Sequence, residues 1–224
     1  YDFWIVKTDA SGNKIWDKLY GGSSYESIGS MAPTRDGGYI LASQTRSGAS
    51  GNKTSGLFGD DDVWLVKIDA NGAKIWDKSF GGTTWESYPY WIEPTPEGGF
   101  IFGGYSKSSP GGNKTAPLHG VSDFWVVNVD GDGNKVWDQS FGGSGEDWMY
   151  SIGPSSDGYL LGGFSASAPG GNKTAPAYGS NDGWIVKLLL REVPIGTPAV
   201  LVNGQFNPSN SFNFFNTTSV PLTL

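Results

Sequence analysis

One segment recurs along the chain and constrains its fold more than any other feature. Full copies begin at Asp2, Asp62 and Asp123, and a truncated copy, DGWIVKLLL, begins at Asp182. Within them Trp4, Trp64, Trp125 and Trp184 follow one another at steps of 60, 61 and 59 residues. A fixed period of this size is typical of architectures in which each unit is stabilised by its neighbours. We therefore predict a repeat protein.

Each full copy predicts two β-hairpins. In the first copy, residues 3–8 and 14–20 alternate apolar and polar side chains around an Asp-x-x-Gly turn at 9–12, and residues 23–33 and 39–45 flank a Gly-rich turn. Four short antiparallel strands per unit are typical of a propeller blade. We predict an all-β, β-propeller-like array of four-stranded antiparallel blades: three repeats at 2–61, 62–122 and 123–181, and a partial fourth at 182–190.

The C-terminal segment departs from the repeat. The prolines of residues 191–198 indicate a linker, and residues 199–224 contain short strand candidates. So short a tail cannot bury a core by itself. We expect it to pack on the repeats, on a neighbouring chain or on residues of a longer chain.

Recurring indoles are the predicted core between blades. A buried indole removes about 150–250 Å² from water, an upper-bound gain of about 4–6 kcal/mol. The predicted inter-blade core consists of Trp4, Trp64, Trp125, Trp184, Trp16, Trp76 and Trp137.

Charge and composition argue against several functional classes. The formal net charge of −7 disfavours nucleic-acid and anionic-membrane binding, and the sequence contains neither cysteine nor an apolar run long enough to span a bilayer. Glu26, Glu86 and Glu146 recur after Gly-Gly, which favours a structural role over a single active site. His119 is the one histidine, without a recognisable nucleophile motif, and we expect it at the surface. We predict that the protein is not an enzyme.

Two sites have the composition of a cation-binding loop. Asp130, Asp132 and Asn134 alternate like the first ligands of a calcium loop, although the distal Glu is missing. A hairpin turn is the alternative, because the other copies carry related residues there. Asp60–Asp62 is a weaker candidate. Calcium is the only cofactor that these patterns suggest.

Asn-x-Ser/Thr sequons occur at Asn52, Asn113, Asn172 and Asn216. The first three lie at the same place in a Gly-Asn-Lys-Thr loop, so they are candidates either for glycosylation or for capping that loop through backbone hydrogen bonds. Trp85, Trp91 and Trp148 are candidate ligand-binding aromatics on one rim of the array.

The combined motif supports a resemblance over residues 2–190. The pattern Asp-x-Trp-x-Val-Lys, Gly-x-Lys-x-Trp-Asp, Gly-Gly and Gly-Asn-Lys-Thr resembles the propeller-type repeats of large secreted proteins from environmental Gram-negative bacteria. The segment VPIGTPAVLVNGQF is similar to the opening of an Ig-like module of the chitobiase C-terminal type. This resemblance implies an extracellular or cell-surface, non-catalytic, multi-module protein.

Three repeats and a fragment are fewer than most propellers contain, so the array would have unpaired edge strands that need to be covered or paired. Residues 182–224 could form an irregular fourth blade, or another copy could complete the ends by strand addition. We favour the second, which predicts a protein whose partner is itself and which assembles head to tail into an extracellular filament or surface layer. The alternative is a propeller that binds carbohydrate or another ligand.

Overall fold

The computed structural model describes residues 1–189, which contain thirteen β-strands and no helix. The all-β prediction is thereby confirmed, and this part of the chain contains no helix that could span a membrane. The linker at 191–198, the tail at 199–224 and Asn216 lie outside the described residues. The strands are β1 Phe3–Thr8, β2 Lys14–Tyr20, β3 Glu26–Pro33, β4 Tyr39–Thr45, β5 Asp62–Ile68, β6 Lys74–Phe80, β7 Trp91–Pro94, β8 Phe100–Ser106, β9 Asp123–Val129, β10 Lys135–Phe141, β11 Asp147–Ser155, β12 Gly158–Ser165 and β13 Asp182–Leu189.

The strands form four antiparallel sheets. Their orders are β1-β2, β3-β4-β5-β6, β7-β8-β9-β10 and β11-β12-β13. The first strands of the three larger sheets, β3, β7 and β11, lie next to one another. The turns that follow these strands are therefore brought to one region of the molecule.

Each repeat contributes four strands, but the sheets do not coincide with the repeats. The sheet β3–β6 combines the second hairpin of the first repeat with the first hairpin of the second, through the pairing of Thr45 with Asp62 along β4 and β5. The sheet β7–β10 spans the next boundary in the same way. Identifying one repeat with one blade was therefore wrong, because hydrogen bonding joins strands from successive repeats.

The Gly-Gly pairs are the points at which the chain leaves one sheet for the next. A Cβ on Gly81 would stand 2.2 Å from Asp62 Oδ1, and one on Gly82 would stand 2.3 Å from Ser108 Cβ. The backbone passes too close to these groups for any larger residue. The missing side chains thus let β6 and β7 belong to different sheets although they are neighbours in sequence.

Apolar side chains pack between successive sheets. In the largest cluster, Ile40 and Leu65 from β4 and β5 face Trp125 and Val127 from β9. In the next, Ile101 and Val126 face Trp184 and Val186. Each interface therefore joins one face of a sheet to the opposite face of its successor.

Candidate functional site

A buried aspartate anchors each of the first two Gly-Asn-Lys-Thr loops to the hairpin that follows it in the chain. Asp138 Oδ2 accepts hydrogen bonds from the amides of Thr115 and Ala116 at 2.9 Å and from Trp125 Nε1 at 3.0 Å. Its Oδ1 accepts from the Thr115 hydroxyl and from Lys135 Nζ, the latter at 2.6 Å. Burial would raise the pKa of Asp138, but these donors hold it below its usual value. Asp77 binds the preceding loop in the same way.

The lysine of the same loop is buried, which the sequence analysis missed. Lys114 lies with its Nζ 5.9 Å from the centre of the Trp125 ring and donates to the Ala116 carbonyl at 2.5 Å. Burial lowers the pKa of Lys114 to about 8. The recurring Lys-Thr pair was interpreted only as a loop feature, whereas the ammonium group holds the loop on the indole.

The sequon asparagines bridge the loop to the Gly-Gly crossing. Asn113 Oδ1 accepts from the Gly81 amide at 3.0 Å, and Asn113 Nδ2 donates to the Ser79 carbonyl at 2.9 Å. Asn52 and Asn172 make the corresponding pairs of bonds. The geometry supports the capping interpretation of these three residues, because both ends of each amide are already bonded.

The calcium candidate is an internally bonded hairpin turn. Asp130 Oδ1 accepts from the amides of Asp132 and Asn134 at 3.0 and 2.8 Å, and its Oδ2 accepts from Asn134 Nδ2 at 3.0 Å. Asp9 and Asp69 bond their own turns similarly. Within residues 1–189, no group of three histidine or acidic side chains is arranged to hold a metal ion. The weaker candidate, residues 60–62, includes Asp61, which pairs with Arg46 at 2.6 Å, and Asp62, whose carboxylate accepts from the Phe58 amide at 2.7 Å.

A second set of carboxylates is buried at the Gly-Gly crossings. Glu86 Oε2 accepts from the Gly82 amide at 3.1 Å and Oε1 accepts from the Ser106 hydroxyl at 2.9 Å. Burial raises the pKa of Glu86 to about 7. Glu26 makes the equivalent bonds in the first repeat.

In the third repeat the equivalent carboxylate is Asp147, not Glu146. Asp147 Oδ2 accepts from the Gly143 amide at 2.8 Å, whereas Glu146 lies at the surface, 3.8 Å from Lys107 Nζ. The alignment by Glu146 was wrong because Glu26 and Glu86 follow the second glycine of their pairs by four residues, as Asp147 does, whereas Glu146 follows Gly143 by three. Recurrence at the same hydrogen-bonding position still supports a structural role.

Three polar atoms near this crossing are buried and have no hydrogen-bond partner in the described part of the chain: His119 Nε2, Asp123 Oδ1 and Asp147 Oδ1. Asp123 Oδ1 and Asp147 Oδ2 would lie 2.2 and 2.9 Å from a Cβ placed on Gly142. Burial, with a contribution from Asp147, raises the pKa of Asp123 to about 7. His119 is half-buried rather than fully exposed, so the surface prediction was too simple.

The predicted indole core is only partly buried. Trp64, Trp125 and Trp184 are buried, and Trp16, Trp76 and Trp137 are partly buried against the same clusters. Trp76 also bridges two sheets through Phe100, at 6.4 Å between ring centres. Trp4 departs from the prediction because it is 62% exposed.

The two ends of the array expose apolar side chains whose equivalents are buried elsewhere. At the first sheet these are Trp4, at 62%, and Val6, at 40%; we call this the front face. At the last sheet they are Leu160, at 45%, and Ile185, at 48%; we call this the back face. In every other described copy the equivalent positions pack in the clusters between sheets.

Two of the candidate ligand-binding tryptophans pack on a common partner. Tyr105 lies between Trp85, at 5.3 Å, and Trp148, at 4.6 Å between ring centres. Trp91 lies apart from them and is 41% exposed, with its Nε1 2.8 Å from Glu93 Oε1. The structure therefore does not join the three indoles in a single platform.

A cavity of about 720 Å³ opens where the turns after β3, β7 and β11 meet. Arg35 contributes from the first turn, residues 93–97 from the second and residues 154–159 from the third. Its lining includes the carboxylates of Glu93, Glu97 and Asp157. No motif in the sequence indicated this cavity, because its walls come from three separate repeats.

The comparisons with known proteins assign the chain to no family. No protein-family model matches the sequence, and no curated protein matches it. The chain is similar to a solved structure from Bacteroides caccae, described as a protein of unknown function, with 10% identity and a TM-score of 0.37. That similarity covers 69% of this chain and 44% of the other.

Proposed function

We propose that this chain is a non-catalytic, secreted structural protein of propeller-like blades that stacks head to tail into a filament or surface layer. The observation that carries the proposal is the pair of exposed end faces. The front face exposes Trp4 and Val6, and the back face exposes Leu160 and Ile185. Apolar surface of this kind on a soluble domain is typical of an interaction site.

The internal packing of the protein supports a match between the two faces. The equivalents of the front-face residues, Trp125 and Val127, pack against Ile40 and Leu65, which are the equivalents of the back-face residues. A front face of one copy laid on the back face of another would repeat this internal contact. Because the two faces are different, the contact is heterologous and propagates unless rotation closes it into a ring.

The free edge of β1 supports the same arrangement. β5 and β9 pair on both sides, whereas β1 pairs only with β2 among the described strands. An edge of this kind accepts an additional antiparallel strand. We propose that residues 199–224, which lie outside the described residues, contribute such a strand.

Complementary face variants test the arrangement. Val6→Lys blocks the front face and Leu160→Lys blocks the back face, so each variant alone should sediment as a monomer. An equimolar mixture should form a 1:1 dimer through the one intact front and the one intact back. Ile75→Lys is the matched control, because Ile75 is 52% exposed and the equivalent residues are also exposed.

Analytical ultracentrifugation of these proteins and negative-stain microscopy of the unmodified chain provide the readouts. Monomers in every sample, including the unmodified chain, would refute self-assembly. Assembly by both single variants would refute the assignment of the faces. Truncation after Leu190 that leaves assembly intact would remove the tail from the mechanism.

Ligand binding is the second candidate function, favoured by the cavity between the three turns. Its volume of about 720 Å³ lies within the range of small-molecule sites, and Trp91 lies beside it through Glu93. For this second function we propose a carbohydrate as the ligand.

A further inference from the structure

We propose that the cavity between the β3–β4, β7–β8 and β11–β12 turns binds an amino sugar, with the sugar ammonium group held by the carboxylates of Glu93 and Glu97. This inference goes beyond the assembly proposed above and does not depend on it. It specifies the ligand class for the second candidate function.

The charges of the lining favour a cation. Glu93 and Glu97 form no ion pair with any described residue, whereas Asp157 is neutralised by Lys187 at 2.5 Å. Arg35 is the one basic residue of the lining, and its Nη2 donates to the Thr95 carbonyl at 3.4 Å. Two carboxylates without a counter-ion facing one cavity provide a site for an ammonium group.

A largely buried tyrosine also lines this site, and its hydroxyl has no hydrogen-bond partner among residues 1–189. This residue, Tyr159, is only 5% exposed. Burial first, and then the charges of Glu97 and Glu93, raise the pKa of Tyr159, so the hydroxyl keeps its proton. The ring of Tyr159 is held in a core cluster, so its hydroxyl is available to donate a hydrogen bond to a ligand oxygen.

The remaining walls fit a pyranose ring better than an extended peptide. Pro94, Pro96 and Pro154 supply rigid apolar surface, and the Arg35 guanidinium can donate to sugar hydroxyls. The exposed ring of Trp91, bonded to Glu93, adds an aromatic surface that attracts a cation or packs on a sugar. Together these groups match a ligand that carries an ammonium group beside several hydroxyls.

Isothermal titration calorimetry with a glucosamine trisaccharide at pH 6 tests the proposal. The Val6→Lys protein is the host, so that assembly does not contribute heat and a failure to assemble cannot be mistaken for a failure to bind. We expect binding of the glucosamine trisaccharide and at least tenfold weaker binding of its fully N-acetylated form, which lacks the positive charge.

Two cavity variants and one control locate the site. Glu97→Gln should weaken binding by about 10- to 100-fold, because a hydrogen bond to a charged group is lost. Tyr159→Phe should weaken it by about 2- to 10-fold, and Phe100 at the equivalent position shows that phenylalanine fits such a strand. Asp60→Asn removes the same charge from an exposed loop at the opposite end of the strands and should leave the affinity unchanged.

Several results would overturn the assignment. Equal binding of the acetylated sugar would exclude recognition of the ammonium group, and an unchanged affinity in Glu97→Gln would exclude this cavity. Binding of a lysine-rich peptide in place of the glucosamine trisaccharide would exclude the sugar. No heat with the trisaccharide would also refute the proposal, provided that circular dichroism shows the host to be folded.

Discussion

Replacing Asp138 by asparagine should be among the most damaging isosteric changes in this protein. The carboxylate accepts five hydrogen bonds, from two amides, one hydroxyl, the Trp125 indole and the Lys135 ammonium group. Its side chain is fully buried. An amide of the same shape retains only one acceptor oxygen.

The loss of stability in Asp138→Asn depends on which oxygen of the carboxylate the NH₂ group of asparagine replaces. At the Oδ2 position it would face three N–H donors. At the Oδ1 position it would face Lys135 and the Thr115 hydroxyl, and only the hydroxyl can turn to accept. The smaller loss is therefore one charge-assisted hydrogen bond plus a poorly placed ammonium group, about 2–4 kcal/mol. For a chain of this size that corresponds to a melting-temperature decrease of about 4–16 °C.

The first repeat contains a matched control. Asp17 occupies the same sequence position, but its side chain is 36% exposed and it contacts only Lys14 and the indole of Trp4. Asp17→Asn should therefore lower the melting temperature far less than Asp138→Asn does.

Thermal melts of the unmodified chain and of both variants at pH 7 compare the two positions. A second series at lower pH checks the cause. Because the pKa of Asp138 in the folded protein lies below its usual value, its contribution to stability is present above about pH 4 and is lost as the pH falls further. The difference between Asp138→Asn and the unmodified chain should shrink accordingly. Equal losses at Asp17 and Asp138, or a loss independent of pH, would refute the reasoning.

Three further outcomes are expected. Relative to the unmodified chain, Glu86→Gln should be favoured in free energy of unfolding by about 1–3 kcal/mol more at pH 8 than at pH 5. The reason is that the raised pKa of Glu86 makes its contribution to stability full below about pH 4.5 and lost as the pH rises through about 7. Denaturant unfolding at the two pH values measures this difference, and an effect independent of pH would count against it. Trp125→Ala should cost about 3–5 kcal/mol in denaturant unfolding, whereas Trp4→Ala, in the host with a blocked front face, should cost less than about 1 kcal/mol. Added calcium should leave the melting temperature unchanged, because the Asp130 oxygens already accept hydrogen bonds within the turn. If calcium stabilised the protein and Asp130→Asn abolished that effect, this turn would be a metal site after all.

The repeat and its strands were predictable from local patterns alone. Alternation in β1 and β2 and the positive φ of Gly12, Gly72 and Gly133 in the hairpin turns act over a few residues, so the sequence contains all the information they need. The all-β class follows from these elements. The recurring aspartate and lysine positions were also visible, although not their burial.

Tertiary structure decided which strands share a sheet and which residues meet. β4 and β5 belong to successive repeats and are separated by a long loop, yet they pair in one sheet. The backbone hydrogen bonds between them, and the bonds that Lys53 and Asp77 make at that loop, stabilise this pairing. The same long-range packing buries Trp64 and leaves Trp4 exposed, although their local sequences are nearly identical. The cavity at Tyr159 likewise arises only where three turns from different repeats come together. Nearly identical local patterns thus acquire different surroundings from their place in the array, and those surroundings determine which side chains are buried and which are exposed.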